Sequence, residues 1–447
     1  MEMDLKSFLK KHSLKEGSLV EVKKGTSLLK GTIVPSSDSG ILVLKLGSGY
    51  NVGVKLDEIK EVKKQGQGKA VGKAKPVLPK ANQSLPKISL IHTGGTIAAR
   101  VDYARGAVSW HTTPEDLLSM YPELFEICNP KAVLLKSMAS EDFRFKHFEA
   151  MAKAIEKEIK GGADGIILSM GTDNLAVASA AMAFIFESIP IPVIVIGSQR
   201  SSDRGSSDAF MNLICGARFA TKTDFAGIAI CMHGSTQDDK CAILPACKTK
   251  KLHASRRDAF KPVNAKPIAK VDFTSGNIEF LEKNYLKKSE RKLIAKTKME
   301  EKTGFLKVNV NMVPEQIEAF KGFKGLVIEG TGLGHMPLDT TDEATEIHKK
   351  IKKELQKLID LGCVVAMTST CLFGRVQMHV YSKQVELTKM GVLPGEDMLP
   401  ETAFVKLAWL LGNYPKEKVK ELMPKNLRGE ISERNEIGEF EPGPENG

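Results

Sequence analysis

From residue 87 onward, the chain alternates short segments that are almost wholly apolar with longer segments of helical, amphipathic period. A strand that is apolar on both sides must be covered on both sides, which helices on each face of a parallel sheet provide. The apolar segments are KISLIHTGG, KAVLLKSM, GIILSMGTD, IPVIVIGSQ and GIAICMHG, and FKHFEAMAKAIEKEIK is one of the helical stretches between them. This alternation predicts an α/β fold built on a doubly wound parallel sheet.

A second and shorter series of the same kind follows in the chain. It consists of GFKGLVIEGTG, a helical stretch over residues 341–361, and CVVAMTST. We therefore assign a larger α/β domain to residues 87–285 and a smaller C-terminal α/β domain to residues 286–425. Residues 426–447 form a polar, acidic tail, which we expect to be ordered only by contact, if at all.

Before residue 87 the pattern is different, because apolar and polar residues alternate with a period of two. The segments SLVEVKK, LLKGTIVP, ILVLKL and NVGVKLDEIKEV predict four or five short strands. Within residues 1–64 these strands would form a small β-barrel, which has little room for a buried active site and suits a docking domain. Residues 65–86 lack acidic residues and any periodicity, and their Gly, Pro, Lys and Gln are typical of a linker.

Basic residues are concentrated at the start of the chain. Residues 1–80 hold 16 Lys and 8 Asp or Glu, so they supply +8 of the net charge of +11. A basic domain suits a polyanionic partner such as RNA. A lysine-rich solvated surface, common in proteins from hot environments, explains the same charge equally well. Charge alone leaves both interpretations open.

The sequence indicates neither a secretory signal nor a membrane span. The start of the chain is charged throughout, unlike a secretory signal. The most apolar region of the whole chain, residues 176–197, is interrupted by Glu187, Pro190 and Pro192, unlike a membrane span. The seven cysteines form no CxxC pair and no metal-ligand spacing with histidine, so we expect reduced thiols and no metal site. These features predict a cytoplasmic protein that does not associate with membranes.

Two polar motifs lie where open parallel sheets bind ligands, beyond the carboxyl ends of their strands, and a third lies in a polar loop. They are HTGGTIA (residues 92–98), SMGTD (169–173) and KTKKLH (248–253). Taken singly, each also has an ordinary explanation as a glycine turn, a helix N-cap or surface charge. Together they supply a threonine hydroxyl, a lysine–aspartate pair that activates it if burial lowers the lysine pKa, and backbone amides for an oxyanion.

The motifs TGGTIA and GTD, and a lysine followed nine residues later by AF, make residues 87–412 resemble the bacterial-type L-asparaginase family. The resemblance implies an amidohydrolase with a threonine nucleophile on a two-domain α/β fold. Carried over by position, the catalytic residues are Thr96 as first nucleophile, Thr172 and Asp173 as the Thr-Asp pair, and Lys251 as the lysine.

The choice of lysine depends on spacing. Lys251 lies nine residues before Phe260, as the family pattern requires, whereas Lys248 and Lys250 do not match it. We therefore expect the loss of Lys248 or of Lys250 to have only small effects on activity.

The same resemblance implies five substrate-binding residues: Gly95, Tyr103, Ser140, Glu141 and Gly171. Ser140 and Glu141 match the segment that holds the α-amino and α-carboxyl groups of the substrate, and Tyr103 is the only tyrosine in the mobile loop. Tyr381 falls about where the family places a residue that completes the active site of a neighbouring subunit. The resemblance thus implies a homodimer with shared sites.

The 86 residues before the first strand of the larger domain and the closing NLRGEISER are similar to a narrower family, the D subunits of archaeal glutamyl-tRNA(Gln) amidotransferases. This resemblance implies that the chain hydrolyses glutamine, while an E subunit converts Glu-tRNA(Gln) to Gln-tRNA(Gln) with the released ammonia. It implies a homodimer within a heterotetramer. The chain has no GxxxxGK[ST] motif, so we expect no cofactor in it and place ATP and Mg²⁺ in the partner subunit.

Two other functions stay open from the residues themselves. One is a stand-alone cytoplasmic L-asparaginase whose barrel serves oligomerisation, since asparagine and glutamine differ by one methylene and such pockets discriminate weakly. The other is an inactive, asparaginase-like scaffold that binds RNA through its basic barrel. The intact set of Thr96, Thr172, Asp173 and Lys251 argues against the scaffold.

Overall fold

The computed structural model describes residues 4–25, 27–36, 38–46, 51–67, 78–79, 82–95, 100–102, 107–109, 114–201, 206–289 and 291–435. In this part of the chain, no helix is both long and apolar enough to cross a bilayer. All seven cysteines are free, and only Cys371 is exposed.

The N-terminal unit is a curled antiparallel sheet preceded by a short helix. Its elements are α1 (Leu5–Lys11), β1 (Ser18–Lys24), β2 (Ser27–Val34), β3 (Ile41–Leu46), β4 (Asn51–Lys55) and β5 (Ile59–Gln67), in the sheet order β4-β3-β2-β1-β5. Strands β4 and β5 lie at opposite edges, yet only one 3-10 turn, Leu56–Glu58, separates them in the chain. The sheet must therefore curl until its edges approach each other, which gives the half-open barrel that the sequence predicts.

Alternation along these strands builds the small core of this unit. Val20 and Val22 on β1, and Leu42 and Leu44 on β3, are fully buried, while their sequence neighbours face outward. Helix α1 was not predicted from the sequence. It packs against the core with Phe8, which is buried, and with Leu5 and Leu9, which are partly buried.

The larger α/β domain is built on an eight-stranded sheet of order β18-β17-β14-β13-β12-β10-β6-β9. Its elements are β6 (Lys87–His92), β7 (Arg100–Asp102), β8 (Ala107–Ser109), α2 (Pro114–Ser119), β9 (Asn129–Leu134), α3 (Phe145–Lys160), β10 (Gly165–Ser169), α4 (Leu175–Ile185), β11 (Phe186–Ser188), β12 (Pro192–Ile196), α5 (Ala209–Lys222), β13 (Gly227–His233), β14 (Lys240–Pro245), β15 (Thr249–Lys251), β16 (Phe260–Pro262), β17 (Ala269–Asp272) and β18 (Ile278–Phe280). Five adjacent strands are parallel, namely β13, β12, β10, β6 and β9. Strands β14, β17 and β18 extend the sheet from β13 in antiparallel fashion.

The parallel strands are buried on both faces, as their composition predicts. All five residues of β10 are buried, because helices α3 and α4 cover one side of the sheet and α5 covers the other. The register places Ser169 at the end of β10 opposite His92 on β6 and Ile196 on β12. The carboxyl ends of these three strands therefore lie at one edge of the sheet.

The smaller α/β domain has a four-stranded parallel sheet of order β20-β21-β22-β23. Its region of the chain contains β19 (Ile294–Ala295), β20 (Thr303–Lys307), α6 (Glu315–Glu318), β21 (Gly325–Gly330), α7 (Ile347–Asp360), β22 (Val364–Ser369), α8 (Ser382–Met390), β23 (Leu393–Pro394), α9 (Pro400–Asn413) and α10 (Lys416–Leu422). Helix α9 packs against α4 of the larger domain, where Trp409 stacks on Phe184 with ring centroids 5.8 Å apart. The two domains thus share a continuous apolar seam.

The first part of the closing segment is held by contact with the rest of the protein, and residues 436–447 lie outside the described residues. Residues 426–435 pack into the protein, where Glu430 is fully buried and Ile431 is 8% exposed. The carboxylate of Glu430 lies 2.6 Å from the Nζ atom of Lys406, which is also fully buried. A buried partner on α9 explains why a polar segment is held in the interior.

Candidate active site

The predicted site residues gather at the carboxyl ends of β6 and β10. Thr93, Gly94 and Gly95 directly follow β6, and Gly171, Thr172 and Asp173 follow β10. Lys251 reaches the same place from the end of β15. Thr96 and Tyr103 lie outside the described residues.

Lys251 lies between a hydroxyl and a carboxylate. Its Nζ atom is 2.9 Å from Thr172 Oγ1 and 2.8 Å from Asp173 Oδ1. The Thr172 residue is 9% exposed and the Lys251 side chain 16%, whereas the Asp173 side chain faces solvent at 63%. The ion pair with the solvent-exposed Asp173 thereby keeps the Lys251 amine within hydrogen-bond distance of the Thr172 hydroxyl. The three side chains can exchange protons along one short hydrogen-bonded path.

The turns after β6 and β10 touch each other through glycine backbone. Gly95 has a φ of +85°, and a Cβ atom on it would lie 2.4 Å from the backbone nitrogen of Gly171. Only glycine permits both this conformation and this approach. The contact places the residue before Thr96 directly against the residue before Thr172.

Ser140 supports the second turn from behind. It is 1% exposed, and its Oγ atom accepts a hydrogen bond from the backbone nitrogen of Asn174 at 3.3 Å. The side-chain amide of Asn174 donates to the Ser140 carbonyl at 2.8 Å. A Cβ atom on Gly171 would come within 2.8 Å of Ser140 Oγ, so serine and glycine are packed face to face. Glu141, the next residue, is exposed.

The other two lysines of the basic cluster point away from the threonine. Lys250 forms an ion pair of 2.5 Å with Glu401, and both side chains are partly exposed. Lys248 is 1% exposed and lies 2.5 Å from the buried carboxylate of Asp397. The expectation that the loss of Lys248 has only a small effect must be revised, because it would take the nearest cation from the buried Asp397 carboxylate and leave Arg375 3.9 Å away.

Gln199 is a contact of the site that the sequence did not indicate. Thr172 Oγ1 donates to Gln199 Oε1 at 3.4 Å. The buried carboxylate of Asp208 fixes this loop by accepting hydrogen bonds from the backbone nitrogen of Gln199 at 2.9 and 3.0 Å. The only available signal was position, since Gln199 follows β12 at the same edge of the sheet.

His92 lies beneath the site, at the last position of β6. It is 2% exposed, and its Nδ1 atom is 2.7 Å from Ser169 Oγ. Burial lowers the pKa of His92 to about 4, so the ring is neutral near pH 7. It therefore adds no positive charge at the end of β6.

Tyr381 lies in the smaller domain, immediately before α8. Its side chain is 54% exposed and packs edge-on against His335, with ring centroids 5.2 Å apart. An exposed tyrosine at this position is available to a neighbouring subunit. The homodimer stays a prediction.

Three family models match the chain in succession. Residues 14–64 match the GatD N-terminal domain, residues 87–286 the N-terminal asparaginase domain, and residues 303–423 the glutaminase/asparaginase C-terminal domain. A relative from Pyrococcus abyssi, named as the D subunit of glutamyl-tRNA(Gln) amidotransferase, is 40% identical over 441 residues, which cover 96% of this chain and 98% of the relative. The protein of the same name from Archaeoglobus fulgidus is 42% identical over 420 residues, covering 93% and 95%. The chain belongs to the D-subunit family.

Solved structures agree with this family at the level of the fold. The thermostable L-asparaginase from Thermococcus kodakarensis has a TM-score of 0.67 and 24% identity, and the match covers 77% of this chain and 99% of that enzyme. L-asparaginase I from Vibrio cholerae has a TM-score of 0.66 and 23% identity, covering 78% and 99%. The two α/β domains of this member of the D-subunit family therefore have the asparaginase fold.

Proposed function

We propose that this chain is the glutaminase component of a tRNA-dependent amidotransferase. It hydrolyses glutamine to glutamate, and the ammonia serves to convert Glu-tRNA(Gln) to Gln-tRNA(Gln) on an ATP-using partner, the E subunit. The observation that best supports this proposal is the placement of Lys251 Nζ between Thr172 Oγ1 and Asp173 Oδ1, at 2.9 and 2.8 Å. Membership of the D-subunit family supports the tRNA-linked setting.

The proposed chemistry divides between two threonines. Thr96, next to Gly95, is the first nucleophile, and its oxygen attacks the carboxamide carbon of glutamine. Its proton passes to the Thr172–Lys251 pair, a transfer that requires Lys251 to enter the step as the neutral amine. A hydroxyl needs such a base, because it is a weak nucleophile on its own. The negative charge of Asp173 stabilises the ammonium form of Lys251 that results.

Breaking the carbon–nitrogen bond requires proton transfer in the opposite direction, from Lys251 to the leaving nitrogen. The Lys251 ammonium returns it through the Thr172 hydroxyl to the leaving nitrogen, which departs as ammonia and leaves an acyl ester on the threonine. Water then attacks the ester and releases glutamate, with its proton restoring the hydroxyl. Gly95 and Gly171 approach each other closely and carry no side chains that would cover the backbone. In this proposal, backbone amide groups there donate to the oxyanion of each tetrahedral state.

The ATP-dependent step belongs to the partner in this proposal. The part of the chain that the structure describes contains no group of three or more His, Cys, Asp or Glu side chains able to hold a metal ion. We assign ATP and Mg²⁺ to the E subunit, and we place two copies of this chain and two of that partner in a cytoplasmic heterotetramer.

The test compares two neighbouring lysines. Lys251→Met should lower ammonia release from glutamine by about 100-fold or more, which corresponds to about 2.7 kcal/mol of transition-state stabilisation. Lys250→Met is the matched control, because it removes only a partly exposed ion pair and should stay within about 3-fold of wild type. Both are measured in the presence of the E subunit and Glu-tRNA(Gln).

Two results would contradict the proposal. Near-wild-type turnover by Lys251→Met would remove the lysine from the chemistry. Rapid hydrolysis of asparagine by the chain alone, with no response to the partner, would favour the stand-alone asparaginase.

A further inference from the structure

Residues 426–435, here called the C-terminal strap, pack into the interior of the protein, where Glu430 and Ile431 are buried. Glu430 is the anchor: its carboxylate accepts hydrogen bonds from the backbone nitrogens of Leu427 at 2.9 Å and Arg428 at 2.6 Å. The ion pair with Lys406 completes the set with both side chains fully buried. A buried carboxylate with three donors fixes the chain around it closely.

From this anchor, the strap reaches the segment that bears Lys251. The backbone nitrogen of Ser432 donates to Asp397 Oδ1 at 3.0 Å. The second oxygen, Asp397 Oδ2, accepts from Lys248 Nζ at 2.5 Å. Lys248 directly precedes β15, and β15 ends in Lys251. One buried carboxylate therefore connects the strap to the strand of the site lysine.

Strand β15 depends on such connections because it is not part of the main sheet. Among the strands that the structure describes, its one partner is β16, in a two-stranded ribbon three residues long. The smaller domain holds the residue before Lys248 as well, since Thr402 Oγ1 donates to the Cys247 carbonyl at 3.0 Å. A displacement of about 1 Å at a catalytic group can lower a rate about 100-fold.

We propose that the C-terminal strap is a positioning element for Lys251. The Ser432 N–H holds Asp397, Asp397 holds Lys248, and Lys248 sets the position of β15 so that Lys251 Nζ meets Thr172 Oγ1. This inference rests on the proposed function, because it concerns the lysine of that same site. Ser432 and Asp397 act through Lys251 and do not touch the substrate.

Arg375 holds the strap in place from the other side. Its Nη2 atom donates to the Ser432 carbonyl at 2.6 Å and its Nε atom to Asn435 Oδ1 at 2.9 Å. The Arg375 side chain is 20% exposed. The same Nη2 atom lies 3.9 Å from Asp397 Oδ1, so the removal of Arg375 weakens the hold on both the strap and Asp397. It leaves the Ser432 N–H intact and supplies a second variant.

The first experiment removes the hydrogen bonds that Ser432 donates. Ser432→Pro eliminates the N–H that donates to Asp397 and the hydroxyl that donates to the Asn264 carbonyl at 3.2 Å. It should lower kcat for glutamine hydrolysis about 10-fold or more, with KM within about 3-fold. Arg375→Met should give the same pattern. Glu433→Ala, which alters an exposed side chain one residue along the strap, is the control and should match wild type. All variants are assayed as full chains with the partner subunit, and their melting temperatures are recorded.

A second measurement separates positioning from general stabilisation. In a Lys251→Arg background the lysine geometry is already lost, so Ser432→Pro should change the remaining rate by less than about 3-fold. A strap that only stabilises the fold would lower the rate by the same factor in both backgrounds, and that result would overturn the proposal. If Ser432→Pro does not fold, Arg375→Met decides by the same comparison.

The strap and the proposed function fail in different ways. A wild-type chain that releases no ammonia from glutamine with its partner present contradicts the proposed function. An active wild type whose Ser432→Pro and Arg375→Met variants are equally active contradicts only the role of the strap.

Discussion

His92 illustrates how a single buried side chain makes stability depend on pH. Its ring is enclosed at the end of β6, and burial lowers its pKa from 6.5 to about 4. In the unfolded chain the same histidine binds a proton near its ordinary pKa. Between these two values the unfolded state therefore holds a proton that the folded state does not.

The sign of the effect follows from that difference. Neutral His92 makes its full contribution to the free energy of unfolding above about pH 6.5, and this contribution is lost as the pH falls toward 4. Between pH 7.5 and pH 5 the loss amounts to about 2 kcal/mol. His92→Asn removes the titrating group, so the free energy of unfolding should fall less steeply over that range. Urea unfolding of both proteins at the two pH values measures the slopes. Equal slopes would show that His92 titrates alike in the folded and unfolded states.

At the scale of elements, the touching turns after β6 and β10 give a sharper expectation. Gly95→Ala must force a Cβ atom to within 2.4 Å of the Gly171 nitrogen, so a turn has to move. We expect this variant to lose about 100-fold or more of its glutamine hydrolysis and about 2 kcal/mol or more of its unfolding free energy.

Gly162 is the matched control for this change. It follows α3 with a φ of +86°, close to the +85° of Gly95, but a Cβ atom on it would meet nothing within 4 Å. Gly162→Ala should therefore cost only the conformational term, about 1 kcal/mol, and leave the rate unchanged. Assays of rate and urea unfolding on both variants provide the comparison. Equal losses of activity would mean that the contact between the turns is unimportant.

The elements that sequence patterns predicted are those whose burial is encoded locally. The strands of the main sheet are apolar on both faces, and those of the N-terminal unit alternate, so each period reports its own environment. Helix α1 was not predicted because it is only seven residues long and three of them, Leu5, Phe8 and Leu9, pack against the core. The packing of the strap was not predicted because the charge that pairs with the buried Glu430 belongs to Lys406, which lies 24 residues earlier on another element. Such pairings depend on the tertiary fold rather than on local sequence.

The same distinction applies within the candidate site. The turns after β6 and β10 were predictable because strand ends of a parallel sheet meet at one edge. Family spacing singled out Lys251, and its amine lies on Thr172, while Lys248, three residues earlier, is buried against the smaller domain. Apart from that spacing, no local pattern separates one lysine of KTKK from another, because their different surroundings arise from the contact between two domains. Gln199 belongs to the same class, as a contact made by a loop of another strand.

At the scale of the whole molecule, the chain combines a catalytic body with an N-terminal unit that has a core of its own. Eight buried apolar residues of that unit form a cluster separate from those of the α/β domains. Such a unit is suited to docking, because it adds surface without altering the sheet that holds the site. An enzyme whose ammonia serves a partner would waste glutamine if it ran without that partner.

We therefore expect glutamine hydrolysis to be coupled to the partner. The isolated chain should hydrolyse glutamine slowly, and adding the E subunit with Glu-tRNA(Gln) should raise the rate about 10-fold or more. A 10-fold rise requires the partner to favour the active arrangement by about 1.4 kcal/mol, if that arrangement is a minor state of the chain alone.

The fate of the ammonia provides the second measurement. With glutamine labelled by ¹⁵N at the amide, the label should appear in Gln-tRNA(Gln). Lys251→Met assembled with the partner should lose this transfer but regain Gln-tRNA(Gln) formation when ammonium chloride is supplied, since only the ammonia source is damaged. Failure of ammonium to restore the product would show that the substitution also disturbs the partner, and a rate unchanged by the partner would contradict coupling.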